Sequence, residues 1–326
     1  MRALDEAIRE GLAYGQRPAI LLMLGGVNVG KTYTLTTLAN LAYERGLKVA
    51  VVDADVGQSS IGPPCCIGLG ILERPIEQLA DVPLQSLYFA GNTSPQGVTG
   101  ECIQGVRAAV EHAKAEKADV ILVDSTGWIA GEAAKEFKLA KLEALQPSVV
   151  IAIAEGDELA HILPHITHRV ILVARSPNAR VRLREERTRA REAAYNAYFS
   201  AAGDREIPLT LQAWPAEAGT LLGLYGGSAE RSGSCEARES EILGLGILRK
   251  VEYDRGIAVI HTPVALEQGG ERSLRRVKPG RVKLVFRVRG RFSEVPANQY
   301  QPSEPQPAED TDEECCGNDV RAGAGI

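Results

Sequence analysis

The sequence predicts an α/β protein: a doubly wound, mainly parallel sheet followed by a small, mainly β domain and a disordered acidic tail. Three observations predict it. Between residues 19 and 174, apolar runs of strand length alternate with stretches of helical spacing. A glycine-rich segment joins the first apolar run to the first of those helices. After about Ile207 the helical spacing gives way to short, glycine-punctuated, β-prone runs. The expected divisions are a helical extension over 1–17, an α/β domain over 18–206, a β domain over 207–292 and the tail over 293–326.

Ala19 to Leu24 is an unbroken apolar run and reads as a buried strand. It leads into Gly25-Gly26-Val27-Asn28-Val29-Gly30-Lys31-Thr32, which fits the phosphate-binding pattern G-x4-G-K-[ST]. Tyr33 to Tyr43 follows with helical spacing, so the segment has the strand–loop–helix context that gives the pattern meaning. Glycines let successive backbone N–H groups converge on phosphate oxygens, and the helix N-terminus adds unpaired donors. Residues 25–33 are therefore assigned to a nucleoside triphosphate, with Lys31 on the β/γ-phosphates and the Thr32 hydroxyl on Mg²⁺. The fold class is that of a P-loop NTPase.

Lys48 to Asp53 is the second strand, and Asp53 and Asp55 follow at its end, pointing to one side of an extended chain. One can hold metal through water while the other takes a proton from an acceptor; either can instead cap the adjoining turn. Further strands are expected over Ser86 to Ala90, Asp119 to Asp124, Ser148 to Ala154 and Arg169 to Ala174. Helices are expected over Glu101 to Lys117, Gly131 to Ala144 and Asp157 to Leu163. Asp124 ends its apolar strand as a second metal-supporting acid. Trp128 follows close behind it, placed either to stack on a base or to cap the sheet from within.

Arg175 to Arg191 holds seven arginines against Glu185 and Glu186. Arg180, Arg184, Arg187 and Arg191 share one face of a continuous helix. Such a ridge either closes over the nucleotide as a lid or forms a solvated basic face; its position after the last core strand favours the lid. Residues 272–291 carry nine Lys or Arg and no acid, with Phe286 interleaved and Phe292 adjacent. They line a polyanion-binding surface or the solvated side of a hairpin.

Hydrophobic content of 44% and charged content of 24% suit a globular protein. No apolar run reaches the length of a membrane span, and acids sit where a signal peptide would have its apolar core. A cytoplasmic protein without a membrane partner is expected. The six cysteines show no C-x2-C spacing and read as reduced thiols. The net charge of −5 is concentrated in the tail, where eight acids face only Arg321. Trp214 has no motif around it and is expected to be structural.

The loop together with Val52-Asp53-Ala54-Asp55-Val56-Gly57-Gln58-Ser59 and Ile61-Gly62-Pro63-Pro64 resembles the polynucleotide 5′-hydroxyl kinases. Those include archaeal RNA kinases and eukaryotic relatives in messenger-RNA 3′-end and ribosomal-RNA processing. Gly91 to Pro95, Thr126-Gly127-Trp128, Lys138-Leu139 with Lys141 to Leu145, and the Arg-rich stretch look similar and occur in the same order. Gly244 to Ile247 and His261 to Val264 resemble the archaeal branch. Cys65-Cys66, Asn92 and Val98 depart from the usual Gly-Thr, Asp and His of the family.

The resemblance implies transfer of the ATP γ-phosphate to a 5′-hydroxyl end of RNA, with DNA as a second acceptor. It makes Asp55 the general base and Lys31, Arg184, Arg187 and Arg191 the catalytic cations. Gln58, Thr93, Thr126 and Trp128 would hold the terminal nucleotide, and Thr32, Asp53 and Asp124 the Mg²⁺. It names no protein partner, and no counterpart of the eukaryotic N-terminal β domain is expected. Two rivals remain: a regulatory P-loop ATPase or GTPase whose acceptor is water, and a non-catalytic RNA-processing scaffold. The first often carries an extra Lys where this chain has Met23-Leu24, and GTPases an Asn-Lys-x-Asp that is absent. Intact Lys31, Thr32, Asp53 and Asp55 argue against the second.

Overall fold

Strand β1 (Ala19–Gly25) is buried at every residue, because both of its faces and both of its edges are covered. It is the centre of a seven-stranded sheet in a computed structural model that describes residues 2–13, 17–175, 179, 181–211, 217–226, 242–266, 273–287 and 291–295. The other strands are β2 (Val49–Ala54), β3 (Cys66–Ile71), β4 (Leu84–Phe89), β5 (Val120–Ser125), β6 (Val149–Ala154) and β7 (Val170–Ala174). Their order is β4-β3-β2-β5-β1-β6-β7. The pairs from β2 to β7 are parallel, while β3 runs antiparallel to both β2 and β4.

Helices α1 (Arg2–Ala13), α2 (Lys31–Tyr43), α3 (Thr99–Ala115) and α4 (Glu132–Leu145) cover the two faces. Leu4, Ala7, Ile8 and Gly11 form the buried stripe of α1, at the spacing one helical face requires. One core layer packs α1 and α2 on the sheet, the other α3 and α4.

A second sheet follows, antiparallel throughout, in the order β13-β12-β9-β10-β11-β8. It consists of β8 (Gly203–Pro208), β9 (Thr220–Gly226), β10 (Ile242–Glu252), β11 (Ile257–Thr262), β12 (Leu274–Arg287) and β13 (Arg291–Glu294). Helix α5 (Arg184–Tyr198) lies between the sheets. Tyr195 and Phe199 share a buried cluster with Leu87 and Phe89 of β4 and with Leu221, Leu245, Val282 and Phe292 of the second sheet.

Four sequence expectations change. β3 was not foreseen, because its two glycines lower strand propensity; Gly68 is there because a Cβ would stand 1.9 Å from the Ile61 carbonyl oxygen. Residues 157–162 form turns instead of a helix, and only Leu163–His165 closes into a short 3-10 helix, with Pro164 in its first turn where no N–H is needed. The β domain starts at Gly203, ahead of 207, because the charged strand β8 is an edge paired only with β11. It also runs past 292, so Glu294 belongs to β13 and not to the tail. Arg180, Trp214, Cys235, Cys315, Cys316 and the tail from 296 lie outside the described residues. No described helix is long and apolar enough to cross a membrane.

Candidate active site

The carboxyl ends of β1, β2 and β5 open into a cavity of about 780 Å³. On its floor the glycine-rich loop turns through two left-handed residues, Asn28 (φ 62°) and Gly30 (φ 95°), into the first turn of α2. This arrangement aims successive N–H groups at one concavity. Gly26, Val27, Asn28, Gly30, Lys31, Thr32 and Tyr33 line the cavity. Gly25 and Val29 do not. Gly25 ends β1 so close to β6 that a Cβ would stand 2.4 Å from the Ile153 carbonyl oxygen, and Val29 is packed into the core. Lys31 Nζ donates to the Gly26 carbonyl at 2.6 Å, a bond that phosphate oxygens can take over.

Parallel pairing of β2 with β5 sets Asp53 directly beside Asp124. Asp124 accepts the Thr32 hydroxyl at 3.1 Å, joining the strand end to the phosphate loop. Asp53 is turned away: one oxygen accepts N–H groups of Ser60 (2.5 Å) and Ile61 (3.0 Å), the other that of Asp55 (3.1 Å). Its carboxylate holds the 54–61 turn; like that of Asp124 it is buried behind the cavity lining, so of the three expected metal residues only Thr32 borders the cavity, with Asp124 bonded to its hydroxyl. Burial, with the Asp124 charge second, pushes Asp53 up to about 7; burial likewise raises Asp124, against the pull of Lys31.

Asp55 is half-buried and lines the cavity. Its Oδ1 accepts the N–H groups of Gly57 and Gln58, both at 3.1 Å, which fixes the carboxylate by one oxygen. Gln58 and Thr93 line the same wall, where the 55–58 turn meets the 91–97 loop. Thr126 and Trp128 form the opposite wall. The Thr126 hydroxyl accepts the Trp128 N–H at 3.3 Å, and Trp128 leans on Phe137 with ring centroids 5.8 Å apart. Trp128 packs against the core and also borders the cavity.

The arginine ridge is shorter than the sequence spacing implies. Leu183 N–H donates to the Glu186 carboxylate at 2.8 Å, which caps α5 and starts it at Arg184. Residues 181–183 are not helical, so the face counted from Arg180 is broken. Arg187 and Arg191 line the cavity; Arg184 is exposed and does not. Its place is taken by Arg182, whose N–H reaches Asn28 Oδ1 at 3.3 Å and so ties the lid to the phosphate loop. Arg191 is also held by Glu294 of β13 through two bonds of 2.7 Å.

Sequence reasoning gave Lys138 no role. Its amine is buried and donates to Ser125 Oγ (3.2 Å) and to the Thr126 carbonyl, fixing the strand end that carries Trp128. A signal existed: Ala134, Phe137, Lys138, Lys141, Leu142 and Leu145 fall on one helical face, so two lysines share a core-facing stripe. Burial pushes both amines down.

This site can be set beside known proteins. Residues 25–201 match the family described as mRNA cleavage and polyadenylation factor CLP1 P-loop. The chain belongs to the Clp1 P-loop family. Among curated relatives, a polyribonucleotide 5′-hydroxyl-kinase of Methanocaldococcus jannaschii is 39% identical over 186 residues, covering 56% of this chain and 51% of the relative. One of Pyrococcus furiosus is 36% identical over 184 residues, covering 56% and 51%. The polyribonucleotide 5′-hydroxyl-kinase Clp1 of Xenopus tropicalis is 26% identical over 198 residues, covering 57% and 45%. The chain therefore spans about half the length of the archaeal relatives it matches. The structure of the wild-type Clp1p–Pcf11p (454–563) complex aligns with a TM-score of 0.66 at 11% identity, covering 86% of this chain and 78% of that one. At that coverage the likeness reaches beyond the first sheet, and it bears on the fold alone. As a Clp1-family protein, the chain carries the family's nucleotide-binding loop on the strand–loop–helix unit described above.

Proposed function

We propose that this protein transfers the ATP γ-phosphate to the 5′-hydroxyl end of RNA. One observation carries the reading: a single cavity brings together Lys31, the half-engaged carboxylate of Asp55, the Trp128 wall and the lid arginines. A hydrolytic switch needs the first of these but has no use for an aromatic wall beside a base-positioning turn. The archaeal relatives named as polyribonucleotide 5′-hydroxyl-kinases support the same acceptor.

The 5′-hydroxyl attacks the γ-phosphorus, a P–O bond to the 5′ oxygen forms, and the bond to the β-phosphate oxygen breaks to release ADP. Asp55 Oδ2 takes the hydroxyl proton while Oδ1 stays anchored by the two turn N–H groups. Lys31 and the Arg182, Arg187 and Arg191 guanidinium groups offset charge on the transferring oxygens. Trp128, Gln58 and Thr93 position the terminal nucleotide. Thr32 and Asp124 present hard oxygen donors side by side and suit Mg²⁺, which when bound would neutralise phosphate charge. Asp53 supports that pair from behind by holding the neighbouring turn.

The test is transfer of label from γ-labelled ATP to 5′-hydroxyl RNA and DNA oligonucleotides, with Lys31→Ala as control. Label on the RNA 5′ end, lost in the control, is the expected result. Label released only as inorganic phosphate would make water the acceptor and overturn the reading.

A further inference from the structure

The described residues of the basic run 272–291 have no part in the site described so far. Its central portion is β12, which meets the kinase domain at the acceptor loop. Arg281 N–H donates to the Gly91 carbonyl at 2.6 Å. The Arg281 guanidinium covers Gly97, where an added Cβ would stand 2.8 Å from Nη1. Between those two anchors, residues 93–96 of the same loop line the active-site cavity. Farther along β12, Lys278 lies opposite Gly223 and Arg276 opposite Tyr225. Gly223 and Tyr225 are on the face that packs against Phe89, so Arg276 and Lys278 point toward the kinase domain.

There they border a second cavity of about 610 Å³, walled by β4 and α3 on the other side. Arg276 lies over the Tyr225 ring at 4.6 Å, which holds the planar group while leaving its edge for other partners. Lys278 reaches Glu101 at 3.5 Å, with both side chains about a third exposed, a pair that contributes little and is readily exchanged. Glu101 is the one carboxylate in the described lining, against two cations.

We infer that β12 is a phosphate track: the acceptor strand leaves the active site past the 91–97 loop and runs over Arg281, Lys278 and Arg276 into the interdomain cavity. The inference rests on the kinase reading for the position of the 5′ end. From Arg281 to Arg276 the strand covers roughly 17 Å, enough to meet several successive backbone phosphates. Cations spaced along an extended strand, next to a cavity of mixed polarity, match a flexible single strand without reading its sequence. The bound stretch is the RNA immediately 3′ of the phosphorylated nucleotide.

The experiment compares the acceptor KM of a 5′-hydroxyl RNA dinucleotide with that of a 12-mer, in wild type and in Arg276→Gln/Lys278→Gln. The KM for ATP and thermal unfolding report whether the variant is intact. Wild type should favour the 12-mer, and the variant should lose about tenfold of that preference at low salt. The slope of log KM against log salt for the 12-mer should fall by about 1.4. No length preference in wild type, or an equal one in the variant, would overturn the track. If neither protein transfers phosphate to any acceptor, the kinase reading fails; fluorescence anisotropy of the labelled 12-mer then decides the track separately. Weaker binding by the variant supports it, and equal binding overturns it.

Discussion

Asp55→Asn separates the chemistry of the site from its architecture. The substitution keeps the shape of the side chain, and its amide oxygen can still accept the Gly57 and Gln58 N–H groups that Oδ1 accepts at 3.1 Å. The 54–61 turn should therefore stand, and thermal unfolding should move by less than about 1 kcal/mol equivalent. The second oxygen, the proposed proton acceptor, becomes an NH₂ group that can only donate. Loss of a positioned general base removes about 10²–10⁴-fold in rate, or about 2.7–5.5 kcal/mol of barrier. Single-turnover transfer to a 5′-hydroxyl oligonucleotide should fall by that factor, while ATP affinity by equilibrium binding stays within about twofold of wild type. Asp55→Ala is the companion variant. It loses both anchoring bonds as well, so it should be similarly slow and also less stable by about 1–3 kcal/mol. Transfer by Asp55→Asn within about threefold of wild type would remove Asp55 from the base role. A matching loss of ATP affinity would instead make it a nucleotide ligand.

Three further outcomes follow from other contacts. Trp128→Ala removes the aromatic wall, and acceptor KM should rise by the equivalent of about 1–3 kcal/mol per stacked base with ATP KM little changed; equal effects on both substrates would assign Trp128 to the core alone. Glu294→Gln keeps the shape of the Arg191 partner but removes its charge from a pair only 18% and 10% exposed. Calorimetry should show a loss of about 1–3 kcal/mol, and no loss would mean that β13 does not hold the lid. Lys141 is buried without a hydrogen-bond partner, close to the Phe137 ring, and burial pushes its amine down. In the window between its lowered folded value and the ordinary lysine value the unfolded chain binds more protons, so wild-type stability should rise with pH there. Lys141→Met should remove that slope and stabilise the protein by about 1–3 kcal/mol below the window, read as Tm against pH. A Tm that falls at every pH would show that the amine is satisfied.

Much of the site was legible because its parts are local. A phosphate loop is eight consecutive residues between a strand and a helix, and chain order alone brings Lys31 and Thr32 to one turn. Asp55 was legible for the same reason, two residues past the end of a visible apolar strand. Asp53 was misread. From sequence it is equivalent to Asp55; only the path of residues 55–61 directs three N–H groups at it and turns it inward. The lid was misread by one turn because a helical face was counted through residues that Leu183 and Glu186 place outside the helix. β3 was missed because its glycines answer to other segments, Gly68 to Ile61 and Gly70 to Val82 and Pro83, contacts with no local signature.

The sequence by itself determined the nucleotide loop, the mainly parallel sheet, a change to β structure after about residue 207 and the resemblance to a kinase family. Each of these depends on periodicity or on contiguous residues. The tertiary structure decided which acid of the Asp53–Asp55 pair faces the cavity, which arginines of the run reach it, and that Lys138 props the Trp128 wall. It also decided that β12 meets the acceptor loop through Gly91 and Gly97. Those outcomes depend on contacts between segments many residues apart, where burial and hydrogen-bond partners choose among side chains that the sequence presents as equals.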